Sequence, residues 1–400
     1  MKILYFGTVC DITEYDKLLA NTSNKPSVAP IVFENALLDG FAKNGADLEI
    51  HSFPMIPTFP ASKILHFGKC ENTLESGYKC RWLNTWNLPF IKQFSRRRDA
   101  KKILRKWGRE YRGEGVVFTY SIPPFLVKDV IKYAEKYSLK TITIIPDLLR
   151  DMYINENSKS FITKIKNAYL RPALKLQNSF DGYIYLTDAM HEVVAPEKPY
   201  RVMEGIADIS GITDPDINLK SNKRAIMYAG MLHEKYGIMN LVDAFEELND
   251  INTELWLFGD GSAVEKIKER ASENPLIKFF GTVNRSVILE FEKKATLLIN
   301  PRNPEEEFTK FSFPSKTIEY MLSGTPLIST KLKGIPDEYF EYIFSVDNNS
   351  TLSLCNVMKN ALSLTDAELV AMGSKAQVFI AENKNSQKQV KGIIDFIKEV

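Results

Sequence analysis

Two doubly wound α/β domains in tandem, each on its own parallel sheet, are what the sequence predicts, on three observations. Short β-branched or aromatic runs alternate with amphipathic helical patterns almost throughout, the pattern of strand-helix-strand units. The alternation lapses once, between Val202 and Arg224, where Gly, Asp, Pro and Asn concentrate. The chain has 400 residues, and a single core stops growing near roughly 250 to 300.

The elements follow in order. Strands are expected at Lys2–Gly7, Asp47–Phe53, Gly115–Ser121, Lys140–Asp147 and Asp181–Thr187, with helices between most of them. Val202–Arg224 reads as an interdomain linker. A second series runs Arg224–Gly230, Glu254–Gly259, Ile277–Val283, Thr296–Pro301, Thr325–Thr330 and Tyr342–Asp347. Between its first two strands Ile238, Leu241, Val242, Phe245 and Leu248 make one helical stripe. A last helix, Ser386–Val400, carries Val390, Ile393, Ile394 and Ile397 on one face and needs a partner surface, on either domain. The expected division is 1–205, 206–385 and the helix 386–400, with the two sheets' carboxyl ends facing a central cleft.

Composition narrows the function. Fifty-two basic against fifty acidic residues leave a net charge of +2, so no global field draws nucleic acid and any basic surface is local. Cys10, Cys70, Cys80 and Cys355 show no CxxC spacing and no disulfide framework, which fits a reducing cytoplasm. The opening MKILYFGTVC is too short for a signal peptide, and no apolar run is long enough to span a bilayer, although peripheral attachment stays open.

FPSKTIEYMLSGTP, Phe313–Pro326, carries the most chemistry. Pro314 marks a helix start with Ser312 as a cap, and the amides of Ser315, Lys316 and Thr317 then point along the positive end of the helix dipole. With the Lys316 charge this suits phosphate. Glu319, one turn on, is placed to accept hydrogen bonds from a sugar diol. The competing reading is a capped helix with a surface lysine and a solvated glutamate. Gly324 and Pro326 stop the helix before the next strand. Two further strand ends resemble anion seats: Gly230 with Lys235, and the turn Gly259 to Gly261, where glycine lets a ligand approach the backbone.

FPSKTIEYMLSGTPLIST, together with Met203–Asp208, resembles retaining glycosyltransferases of family 4, in the branch that builds capsule, exopolysaccharide and lipopolysaccharide. That resemblance implies the GT-B fold of two Rossmann-like domains. It implies a hexosyltransferase using a nucleotide-sugar donor, UDP by default, and a glycan or lipid-linked glycan acceptor, with no cofactor and no metal. By the same resemblance Glu319 holds the ribose, Gly230, Lys235, Gly259 and Gly261 line the donor diphosphate and nucleotide, and Ser315 and Lys316 touch the phosphates. The family's first glutamate, eight positions before Glu319, is Phe311 here, so Glu307 is assigned its role from a displaced position, with Glu305 and Glu306 beside it. The family's arginine after the first glycine is Met231, and Tyr236 intrudes between Lys235 and Gly237, so diphosphate neutralisation falls to Lys235 with Lys316 or Arg302. The catalytic assignments are Lys235, Glu307 and Asp147. Rival readings are an epimerase on the same fold and a nucleotide-sugar or glycan binding protein without turnover. A nicotinamide enzyme lacks its GxGxxG after the first strand.

The acceptor belongs to the first domain, where Thr8, Asp11, Tyr120 and Asp147 lie near strand ends; Asp147 reads as an acceptor ligand or as a helix cap before LLRDMY. His191 reads as a packed helix residue, and His51, His66 and His233 lack the company for a metal. The basic run 95–112, with Ile103, Leu104 and Trp107 among its charges, is either a solvated helix face or a docking surface for anionic lipid, with Lys159–Leu176 as a second such helix.

Overall fold

The computed structural model describes every residue except 21, 23–25, 69–70, 149–160 and 349. The chain forms two compact units, one of residues 1–206 with 386–400 and one of 207–385. All the strands expected from sequence are present, with ends within two residues of their expected positions.

In the first unit the strands are β1 (Lys2–Gly7), β2 (Asp47–Ser52), β3 (His66–Phe67), β4 (Glu71–Thr73), β5 (Lys79–Trp82), β6 (Thr85–Trp86), β7 (Gly115–Tyr120), β8 (Lys140–Ile145), β9 (Gly182–Tyr185) and β10 (Tyr200–Val202). Eight of them form one sheet in the order β10-β9-β8-β7-β1-β2-β5-β4, parallel except for β4 on β5. β1 and β7 are apolar along nearly their whole length because the middle of a parallel sheet is covered on both faces. The edge is charged instead, where Arg81 donates to Glu71 at 2.6 Å between β5 and β4, as suits a strand that must not pair further. The helices are α1 (Ile12–Leu19), α2 (Ala29–Lys43), α3 (Ile91–Glu110), α4 (Val127–Tyr137), α5 (Phe161–Leu176) and α6 (Met190–Val193).

In the second unit β11 (Arg224–Ala229), β12 (Thr253–Phe258), β13 (Ile277–Gly281), β14 (Leu297–Asn300), β15 (Leu327–Thr330) and β16 (Phe344–Val346) form an all-parallel sheet in the order β13-β12-β11-β14-β15-β16. Renumbered within the unit this is 3-2-1-4-5-6, the dinucleotide-fold order. Its helices are α7 (Ile238–Leu248), α8 (Val264–Glu273), α9 (Arg285–Lys294), α10 (Lys316–Leu322), α11 (Thr351–Leu362) and α12 (Asp366–Asn383). The expected stripe on α7 is buried in the core.

The last helix, α13 (Ser386–Glu399), belongs to the first unit, where Val390, Ile393, Phe396 and Ile397 join the core around Tyr5 and Phe118. Two expectations change. The stretch 207–223 is part of the second unit rather than a free linker: Lys220, half-buried, donates to the Ala295 carbonyl at 2.7 Å and to Thr325 Oγ1 at 2.9 Å. In the basic run, Leu104 and Trp107 are buried in the unit, so they are not an apolar face for lipid. Among the described residues no helix is long and apolar enough to cross a membrane. Residues 159 and 160 of the second basic helix, and Cys70, lie outside the described residues.

Candidate functional site

Strand order in the second unit reverses between β11 and β14, and ligands of open parallel sheets bind outside the carboxyl ends of the strands at such a reversal. Gly230 follows β11, and the chain then makes a short 3-10 turn, Glu234–Tyr236, before Gly237 opens α7 with a φ of 77°. Arg302 follows β14. The two loops meet at Tyr236. The Arg302 guanidinium lies 5.1 Å from the Tyr236 ring centroid, Lys235 Nζ lies 5.1 Å from the same centroid, and Phe308 meets the ring edge-on at 5.7 Å. A phenol ring attracts cations to its electron-rich face, so Tyr236 gathers the two charges rather than intruding between residues of an expected motif. Burial depresses the pKa of Arg302, an effect partly offset by Tyr228 and Tyr236, and its buried Nη1 has no hydrogen-bond partner. A desolvated guanidinium N–H left unsatisfied costs stability unless an acceptor arrives.

Glu307 is exposed at the start of the 3-10 turn Glu307–Lys310, the turn that carries Phe308 onto Tyr236, and Phe311 closes that turn. Glu305 is exposed and Glu306 half-buried in the same loop.

A second cluster lies on α10 and α9. The helix is shorter at its start than expected: it begins at Lys316 with Ser315 as cap and without a side-chain capping bond, so Ser312 does not cap it. The Thr317 amide is taken by the Pro314 carbonyl at 2.8 Å, so it is not free for an anion. Lys316 bonds Glu319 within the helix, Arg285 Nη2 reaches Glu319 Oε2 at 3.4 Å, and Lys316 Nζ lies 3.8 Å from Glu292 Oε1. Glu292 is fully buried on α9, and neither of its oxygens is matched to a hydrogen-bond donor. Its pKa is raised well above the carboxylate range, by burial first and by the Glu319 charge second. For Glu319 burial acts in the same upward direction, but Lys316, the proton of Glu292 and Arg285 outweigh it and leave its pKa lowered. One carboxyl of the pair is thus neutral and the other charged, and the charged one is partly open to solvent. Below them Tyr320 accepts the Ala229 amide at 2.8 Å and donates to the Ala229 carbonyl at 3.1 Å, which ties α10 to the carboxyl end of β11.

The turn after β12 serves packing. A Cβ on Gly259 (φ 131°) would stand 1.8 Å from the Gly230 carbonyl oxygen, and one on Gly261 would stand 2.4 Å from that of Leu232. The chain's own backbone occupies the space that a side chain at either position would need. His233 Nδ1 accepts the Ser262 amide at 3.0 Å and holds the same two loops together.

In the first unit Thr8 is bonded by its amide to Glu34 at 2.9 and 3.0 Å, and Tyr5 donates to Glu34 at 2.6 Å. Burial raises the pKa of Glu34 to about 7 against these bonds. Asp11 caps α1, accepting the Glu14 amide at 3.0 Å. Tyr120 is buried, and burial together with Glu34 raises its pKa. Asp147 is exposed just beyond β8; the helix it was expected to cap falls at 149–153, outside the described residues. His191 stacks on Tyr200 at 4.3 Å, His51 bonds Glu49 at 2.8 Å and His66 bonds Asn84 at 2.7 Å. Cys10, Cys80 and Cys355 are buried free thiols.

Arg285 and Glu292 were not singled out from sequence. A signal existed: Glu292 lies on the helical stripe of Ile288 and Ala295, where an apolar residue is expected.

Residues 223–364, within the second unit, match the family described as Glycosyl transferases group 1. Among curated proteins none matches the chain. Sucrose-phosphate synthase from Thermosynechococcus elongatus has a similar structure, with a TM-score of 0.64, 13% identity, and coverage of 100% of this chain and 99% of that one. HepE from Anabaena, in complex with UDP, gives a TM-score of 0.62 and 16% identity with both chains covered in full. The lipopolysaccharide outer core galactosyltransferase WaaB gives 0.59 and 14%, covering 100% of this chain and 99% of that one. The fold is GT-B, with two Rossmann-like domains.

Proposed function

We propose that the protein is a retaining glycosyltransferase of family 4 that moves a hexose from a UDP-linked donor to a glycan or lipid-linked glycan, in the cytoplasm, during synthesis of a surface polysaccharide. Arg302 carries the reading. Its unsatisfied Nη1, at the strand-order reversal and over Tyr236, is built for an anion, and the residues around it lie inside the stretch that matches Glycosyl transferases group 1. The UDP and UDP-glucose complexes of HepE support a uridine nucleotide as that anion.

In this mechanism Arg302, Lys235 and Lys316 neutralise the diphosphate as it departs, a task that fixed cations perform without a metal. Ser315 stands exposed beside Lys316 to meet the same phosphates, and Gly230, Gly259 and Gly261 shape the loops around them. Glu319, held ionised by Lys316 and Arg285, accepts the ribose hydroxyls. Glu307 faces the donor sugar. The bond from the anomeric carbon to the phosphate oxygen breaks while the acceptor oxygen bonds that carbon on the same face. The acceptor's proton passes to the departing phosphate. Acceptor recognition belongs to the first unit, where Asp147 is exposed.

The test is UDP release from a panel of UDP-hexoses with and without glycan acceptors, with and without EDTA. Release that needs the acceptor, survives EDTA and disappears in Arg302→Ala is expected. Acceptor-independent release of free sugar would mean an epimerase, and tight UDP binding without release under any acceptor would mean a binding protein.

A further inference from the structure

Helix α3 enters from a residue in an unusual state. Phe90 has a φ of 63°, a left-handed conformation costly for a bulky side chain, and is 84% exposed. Phe94, one turn on, is 68% exposed, and Ile91 lies beside it. Trp86, whose amide is bonded to Ser95 Oγ at 3.0 Å, is 49% exposed. Its neighbour Asn87 binds the backbones carrying Leu65 and Phe59, both exposed, at 2.8 and 3.0 Å. Six large apolar side chains thus crowd one end of a surface helix, and contiguous apolar patches on soluble proteins mark interaction sites.

The rest of that helix face is cationic. Counting along the helix, Ile91, Phe94, Arg98, Lys102, Arg105 and Arg109 fall within a single stripe, with Lys101 at its edge. The opposite face, with Lys92, Arg96, Leu104 and Trp107, is buried. Among the described residues no carboxylate lies within 4 Å of Arg98, Lys101, Lys102, Arg105 or Arg109, whereas Arg97, off the stripe, pairs with Asp129 at 2.6 Å. From Arg98 to Arg109 α3 presents about 17 Å of positive charge without a carboxylate partner, behind an aromatic tip.

We propose that this face docks on an anionic lipid bilayer, with Phe90, Ile91, Phe94 and Trp86 seated among the headgroups and the arginines and lysines against their phosphates. Charge decides the occupant. A second copy meeting this face symmetrically would bring cation to cation. A bilayer interface accepts aromatic rings and attracts basic residues at once, and the two attachments together hold where either alone is weak. The surface differs from the one expected from sequence, because Leu104 and Trp107 point inward and the apolar part comes from residues upstream of the basic run. Glycosyl transfer is not a premise of this docking.

The full chain, mixed with phosphatidylcholine vesicles or with vesicles of phosphatidylglycerol and phosphatidylcholine in about equal parts, is separated by flotation. Recovery with the anionic vesicles only is expected, falling about tenfold in Phe90→Ser/Phe94→Ser and in Arg98→Glu/Arg105→Glu, and falling at high salt. These side chains are exposed, so thermal unfolding of the free variants should match wild type. Trp86 gives a second readout, because Trp82, Trp107 and Trp256 are at most 5% exposed. Quenching by brominated acyl chains in the anionic vesicles is expected in wild type and lost in Trp86→Phe. Equal recovery with both vesicles, or undiminished recovery of the Phe90→Ser/Phe94→Ser variant, overturns the proposal. So does a dimer that depends on Phe90 and Phe94 in a protein that floats with neither vesicle.

Discussion

Lys316 Nζ lies 3.8 Å from Oε1 of the fully buried Glu292 while it bonds Glu319 one turn along its own helix, so one ammonium serves two carboxyls. Because the pKa of Glu292 is raised, by burial and then by Glu319, it carries its proton at neutral pH. Glu292→Gln reproduces that state and is expected to change stability by less than about 1 kcal/mol at pH 7. Lys316→Ala removes the shared cation and is expected to cost about 1 to 2 kcal/mol, the lower part of the range for a broken pair because Lys316 is partly exposed. Because Glu292 is already neutral, and loses with Lys316 a charge that favoured its ionisation, adding Glu292→Gln should change that loss by less than about 1 kcal/mol. Urea unfolding of the two single variants and the double variant checks all three outcomes.

Nucleotide binding separates the cation–aromatic group from a surface coincidence. Arg302→Ala is expected to weaken UDP binding by about tenfold or more, since a charge-assisted, desolvated donor is lost. Tyr236→Phe keeps the ring face and should stay within about twofold, whereas Tyr236→Leu should lose several-fold. Calorimetric titration with UDP measures each. Wild-type affinity in Arg302→Ala would mean the anion seat lies elsewhere.

Glu34 makes the first unit sensitive to pH. Burial raises its pKa to about 7 from an ordinary 4.5, so the folded state binds a proton that the unfolded state has released. The resulting stabilisation is complete below about 4.5 and is lost as pH rises through about 7, a change of at most about 3 kcal/mol. Denaturant unfolding followed from pH 5 to 8 should show the first unit weakening as pH rises, and Glu34→Gln should flatten that slope.

The turn after β12 should tolerate no side chain. Gly259→Ala puts a Cβ 1.8 Å from the Gly230 carbonyl oxygen and is expected to cost about 3 kcal/mol or more. Gly281→Ala, also at positive φ but with its nearest neighbour 3.9 Å away, should cost about 1 kcal/mol. Thermal unfolding of both compares crowding with backbone strain alone.

The fold was legible because buried parallel strands are written as continuous apolar runs: KILYFG and GVVFTY need only local pattern to be found. The short strands β3 to β6 and β10 were not, since pieces such as ENT and KCRW are held by neighbours rather than by their own pattern. At the site, Lys316 and Glu319 could be read because they lie one turn apart in one motif. Glu292 lies on another helix, and Tyr236 meets Arg302 across 66 residues of chain, so only tertiary structure joins them. The glycines could be found but not interpreted: a glycine turn looks the same in sequence whether a ligand or another loop needs the room.

The second unit is an insertion within the first. The Ala207 amide donates to the Lys384 carbonyl at 2.7 Å, so the entry and exit of residues 207–385 are side by side. On the other side of the crossing Gln389 donates to the Gly205 carbonyl at 2.9 Å. A ribosome therefore completes the inserted domain while its host still lacks α13 and the Val390, Ile393, Phe396 and Ile397 that close its core. The domain bearing the group 1 match is free to fold first, and the host matures only after its guest has been made.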